Sequence, residues 1–205
     1  MSQIQHPAPP KIYYDVLDGW RGTAAIIILI FHYLEMTYPD DYENNPLGHG
    51  FLAVDFFFCL SGFVIGLAYD HRIRSIGMKQ FFINRLIRLH PMVIMGTIVG
   101  FIGYISDPFV IKDEGFNWIL ILTAVLGSML LLPTPFLPYR WKALFPYNSP
   151  AWSLFFEYLA NILYAVLLSK VSKRILLLVG IICAGWLAIT SYNAGWLING
   201  WDSPT

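Results

Sequence analysis

Long apolar runs dominate this chain. Stretches near residues 20–37, 51–69, 91–106, 116–133, 150–169 and 174–192 are mostly apolar, and most of them approach the roughly 17–25 residues a helix needs to cross a bilayer. In hydrocarbon no water is available to an unpaired backbone N–H or C=O, so such a segment satisfies its hydrogen bonds internally, as a helix. The pattern predicts an all-α fold: a polytopic transmembrane helix bundle with about six membrane segments, read as one domain over 1–205. Composition agrees. Charged residues make up 13% of the chain, where a soluble domain carries about 25%. Trp and Tyr gather near the ends of several runs, as interfacial belts do.

The same composition excludes several function classes. A formal net charge of zero, with no long basic tract, argues against a nucleic-acid partner. Cys59 and Cys183 both lie inside apolar runs. They form no disulfide framework or metal-ligand spacing, so no metal is expected and both are predicted to pack as small hydrophobes. The N-terminus does not read as a signal peptide, because the apolar run after it holds His32 and Glu35 and no small-residue cleavage site follows. The first helix is expected to be retained.

Loop charges orient the bundle. Residues 70–90 carry Arg72, Arg74, Lys79, Arg85 and Arg88, whereas the preceding loop has Asp40, Asp41 and Glu43 with no Lys or Arg. The positive-inside tendency places the basic stretch, and with it the N-terminus, in the cytoplasm. Counting on puts Arg140 and Lys142 inside but Lys170, Lys173 and Arg174 outside. Topology after residue 115 therefore stays open. The prolines between Pro133 and Pro150 suit a re-entrant or surface-lying segment.

Four groups of residues carry candidate chemistry. Arg21 and His32 are eleven positions apart with only apolar or small residues between them. On a helix this interval is about three turns, so both lie on one face about 16 Å apart. Asp18, one turn before Arg21, offers it an ion pair, and a snorkelling anchor is the plain alternative for this arginine. His32 is either a buried, hydrogen-bonded neutral side chain or a general base titrating near neutrality. In VDFFFCLSGF, Asp55 opens a helix that Ser61-Gly62 is expected to interrupt. Helix-end electrostatics and a close-packing notch are the structural alternatives there. Arg85 and Arg88 share one helical face and suit bidentate phosphate binding, unless they only set topology or meet anionic lipid. In NSPAWSLFFE, Pro150 opens a helix that carries Glu157 about two turns in, a depth at which an unpaired carboxylate is costly. Asn161 shares its face. Gly96, Gly100 and Gly103 form a small-residue stripe fit for close helix packing.

In this order, LDGWRG with Arg-x10-His, VDFFFCLSGF, RLIR and NSPAWSLFFE resemble the membrane acyltransferase family often called acyltransferase 3, which includes polysaccharide O-acetyltransferases. The resemblance runs over about residues 15–165. It implies transfer of an acyl group, commonly acetyl from cytoplasmic acetyl-CoA, to a hydroxyl of a carbohydrate or other cell-envelope acceptor. It implies no permanently bound cofactor, acyl-CoA being the donor substrate. It also implies a multi-pass protein of the inner or plasma membrane. Carried over by position, His32 is the leading catalytic residue, with Arg21 and Glu157 beside it in the catalytic set. Arg85 and Arg88 hold the CoA phosphates, and Asp55, Ser61, Trp152 and Ser153 contribute to substrate binding. Family members have more membrane helices than this chain, so the resemblance implies an incomplete bundle. A transporter or flippase using His32, Asp55 and Glu157 as proton or substrate sites, and an inactive remnant, are the competing readings.

Overall fold

The computed structural model describes residues 14–39, 41–70, 72–107, 117–134 and 144–194. Among these the regular structure is helical: α1 (Asp15–Glu35), α2 (Leu52–Tyr69), α3 (Ile73–Ile76), α4 (Met78–Ser106), α5 (Trp118–Met129), α6 (Ala151–Val166) and α7 (Lys173–Ala194), with a 3-10 turn at Leu168–Lys170. Apart from α3, each helix matches one of the apolar stretches. Helices α2, α4, α6 with its 3-10 turn, and α7 are long and apolar enough to cross a membrane. Helix α1 has the length, at 21 residues, but Asp18, Arg21 and His32 lower its hydropathy. Helix α5 has the hydropathy without the length. Its 12 residues rise about 18 Å, short of the ~30 Å hydrocarbon core.

Helix α4 departs most from expectation. It starts at Met78 rather than near residue 91 and runs for 29 residues, with Pro91 inside it. The basic stretch reads as a loop by hydropathy, yet Phe81, Arg85, Leu89, Val93 and Thr97 are all buried. That four-residue spacing is a helical stripe and runs straight through the charges. Gly77, at φ 81°, closes α3 and precedes α4, a conformation that suits a residue without Cβ.

The chain divides into two compact units, Met1–Ala68 and Tyr69–Thr205. In the first, Trp20 of α1 meets Phe56 of α2 with ring centroids 6.5 Å apart. The turns of residues 36–39 and 41–51 fold back over the end of α1, where Phe31 is buried to 3% exposure. Phe31 packs on Tyr42 at 6.5 Å and on Phe51 at 6.2 Å. Gly50 sits so close that an added Cβ would lie 2.6 Å from Phe31 Cβ.

In the second unit the segment 144–148 fills the space beside α4, α5 and α6. Tyr147 packs with Ile121, Ala124 and Val125 of α5, and Phe145 with Val93, Leu131 and Ala151. Asn148 Nδ2 donates to the Val93 carbonyl at 3.1 Å. The glycine stripe is used in part. A Cβ on Gly96 would come within 2.8 Å of Asn148 Nδ2, one on Gly100 would strike the Tyr147 carbonyl oxygen, and one on Gly103 would meet nothing among the described residues. The stripe thus admits a loop rather than another helix. Two further expectations change. Helix α2 runs unbroken through Ser61-Gly62, so the interruption is not present, and among the described residues a Cβ on Gly62 would meet nothing. Both cysteines are exposed on their helices instead of packed inside. The proline-rich region between residues 135 and 143 lies outside the described residues.

Candidate active site

Helix α1 is continuous from Asp15 to Glu35, so Arg21 and His32 stay on one face about 16 Å apart. Each has its own acidic partner. Arg21 Nη1 lies 2.7 Å from Asp18 Oδ1, the ion pair expected from their spacing. His32 Nδ1 lies 2.7 Å from Glu35 Oε2. The His32 side chain is 49% exposed, which removes the reading of a buried core histidine. It occupies the last turn of α1, where unpaired carbonyls favour positive charge. The Phe31 ring flanks it, with centroids 5.2 Å apart.

On α2, Asp55 is exposed in the first turn and Ser61 is half-buried. Both belong to the same unit as α1.

The remaining candidates lie in the second unit. Arg85 is 4% exposed. Its guanidinium lies over Tyr69 at 5.1 Å and Phe81 at 5.7 Å, an attraction worth about 0.5–2 kcal/mol per pair. Its Nε is buried without a hydrogen-bond partner among the described residues. Arg88, one helical turn on, is exposed. The pair therefore does not present two equivalent guanidinium groups. The structure does bring Arg85 within electrostatic reach of Glu157, from α4 to α6. Pro150 caps the start of α6 as anticipated. Ser153 Oγ donates back to the Pro150 carbonyl at 2.8 Å, and the Trp152 ring meets Phe156 at 6.3 Å. Glu157 is half-buried and Asn161, one turn further, is fully buried. Asn161 Nδ2 donates to the Glu157 carbonyl at 2.8 Å.

Sequence reading passed over three contributors. Glu35 was visible as an i,i+3 partner of His32. Tyr69 gave no local signal, because its role depends on the packing of α4. The Tyr164 hydroxyl donates to Asp70 Oδ1 at 2.7 Å across 94 positions, a separation no local pattern spans.

Residues 14–205 match the family described as Acyltransferase domain. The chain is 32% identical over 171 residues to Protein 2 in picA locus of Rhizobium radiobacter, which covers 77% of this chain and 83% of that protein. It is 31% identical over 105 residues to Peptidoglycan O-acetyltransferase OatA of Listeria monocytogenes, covering 49% of this chain and 15% of the relative. With O-acetyltransferase OatA of Staphylococcus aureus it shares 35% identity over 85 residues, 40% of this chain and 13% of the relative. The matches to the OatA proteins thus span a small part of their length. No solved structure matches the chain. With the family match extending over nearly all of its length, and the four motifs seated on α1, α2, α4 and α6, the chain belongs to the acyltransferase family and is a membrane acyltransferase.

Proposed function

We propose that this chain transfers an acyl group, in the simplest case acetyl, from acyl-CoA to a hydroxyl of a carbohydrate or other cell-envelope acceptor. The observation that carries the reading is His32: an imidazole at the end of an apolar helix, exposed and tethered at one ring nitrogen by an acidic neighbour. As general base it takes the proton of the acceptor hydroxyl while the oxygen bonds to the thioester carbonyl carbon. The C–S bond then breaks, and the thiolate leaves with that proton. The names of the OatA relatives, O-acetyltransferases both, support an oxygen acceptor and an acetyl group.

Arg21, about 16 Å from His32, lies too far away to touch the same carbonyl and instead orients the extended donor. Arg88, exposed one turn beyond buried Arg85, offers its fork to CoA phosphate. Asp55, Ser61, Trp152 and Ser153 complete the residues assigned to substrate binding.

Orientation follows from charge and helix length. With the N-terminus cytoplasmic and α5 too short to cross, α6 returns Lys170, Lys173 and Arg174 to the side that also holds Arg72 and Lys79. The positive charge after α6 then falls on the cytoplasmic side, and the same count moves Arg140 and Lys142, which precede α6 in sequence, to the opposite side. The protein then resides in the inner or plasma membrane, with its basic loops facing the compartment that contains acyl-CoA.

The test is His32→Ala in membranes supplied with labelled acetyl-CoA. Incorporation into envelope material should fall about 10²–10⁴-fold, with the amount of inserted protein unchanged. Undiminished incorporation would remove His32 from the mechanism.

A further inference from the structure

We infer that Glu35 is a positioning residue for His32: its carboxylate holds the Nδ1 side of the imidazole and leaves Nε2 to face the acceptor hydroxyl. This rests on the reading of His32 as the general base. His32 and Glu35 are three residues apart on the final turn of α1, and Nδ1 and Oε2 are separated by 2.7 Å. An ionised carboxylate only accepts hydrogen bonds, so the ring nitrogen facing it carries the hydrogen. The lone pair then sits on Nε2, directed away from Glu35. A histidine's working nitrogen is set by the bond its other nitrogen makes.

The surroundings hold this arrangement in place. Phe31, against which the imidazole rests, is itself fixed by Tyr42, Phe51 and the close approach of Gly50. The ring therefore has a rigid wall on one side and a charged tether at one nitrogen. Two titratable groups on the overlying turns have partners of their own. Asp41 binds Asn44 Nδ2 at 2.9 and 3.0 Å, and His49 packs on Phe51 at 6.0 Å. Among the described residues, Glu35 is the acidic group paired with His32.

The role is complete in protons. Nε2 takes the acceptor proton as the C–O bond forms, and gives it to the departing thiolate as the C–S bond breaks. Nδ1 keeps its hydrogen throughout. Glu35 stays ionised and stabilises the imidazolium between the two transfers.

The experiment uses the full chain in detergent or nanodiscs, with ¹⁵N-labelled histidine and His32 identified by the signal lost in His32→Ala. The wild-type protein should show His32 hydrogenated at Nδ1, and Glu35→Ala should shift it toward the Nε2–H form. In the acetyl-transfer assay Glu35→Ala should lower kcat roughly ten- to a hundredfold, the size seen when a group orienting a metal-bound histidine is lost, with KM for acetyl-CoA unchanged. Glu35→Gln keeps an acceptor oxygen without the charge and should lose less, which also covers the case in which the alanine variant fails to fold. An unchanged tautomer in Glu35→Ala, or a loss confined to protein yield with kcat intact, would overturn the inference. Full activity in His32→Ala would instead overturn the general-base reading, while the tautomer measurement still decides whether Glu35 sets the ring.

Discussion

Arg85 and Arg88 are one helical turn apart and have different work to do. Arg85 has lost most of its contact with water and lies against the rings of Tyr69 and Phe81, so truncating it removes packing as well as charge. Arg88 projects from the same helix into the open. Arg85→Ala should therefore lower the thermal unfolding midpoint of the detergent-solubilised protein by several degrees. Arg88→Ala should leave the midpoint within about a degree and raise KM for acetyl-CoA instead. Equal loss of stability in both variants would refute the division. The Tyr164–Asp70 hydrogen bond ties α6 to the start of the basic loop. A hydrogen bond to a charged group contributes about 1.5–3 kcal/mol, so Tyr164→Phe should cost on that order, read from the same unfolding curves.

Among the elements, α4 shows what a close contact imposes on a membrane helix. Gly100 admits the Tyr147 carbonyl, and Gly96 admits the Asn148 amide. Gly100→Leu should displace the 144–148 segment and destabilise the protein by about 1–3 kcal/mol, the usual cost of overpacking. Gly103→Leu and Gly62→Leu, at glycines with no neighbour within 4 Å of an added Cβ among the described residues, should be tolerated; size-exclusion profiles and unfolding midpoints distinguish the cases. The ends of α2, α6 and α7 were legible within a few residues, and Asp70, Pro150, Lys170 and Lys173 mark the end of α2, both ends of α6 and the start of α7. The start of α4 was not. Hydropathy weighs Arg85 as a polar residue, whereas aromatic rings from Tyr69 and Phe81 supply its surroundings, and only the four-residue stripe from Phe81 to Thr97 betrays the helix. The site was legible unevenly for a related reason. Arg21, His32 and Asp18 act within one helix, where spacing is enough. The meeting of Arg85 with Glu157, and of Tyr164 with Asp70, depends on helices whose packing no local pattern records.

At the scale of the molecule, the exposed apolar surface and the helix lengths describe a protein meant for lipid. The most apolar window of α7 has no buried residue, an arrangement tenable in a bilayer but not in water. If α5 does not cross, positions before α3 and after α6 face the same compartment. Single cysteines placed at Arg72 and Lys170, after Cys59 and Cys183 are replaced by serine, should react with an impermeant thiol reagent from the cytoplasmic side. One at Asp107 should react from the opposite side. Labelling of positions 72 and 170 from opposite faces would show that α5 crosses after all.

The buried stripe of α4 has a mechanical consequence. A residue every fourth position advances 400° around a helix, 40° past a full turn, so from Phe81 to Thr97 the stripe precesses by about 160°. Tyr69 and Tyr164 near Phe81 and Asn148 near Thr97 therefore grip nearly opposite sides of one rod. Spinning about its long axis would break both grips at once. Helix α4 behaves as a keyed shaft, and any conformational cycle in this protein has to turn about it rather than turn it.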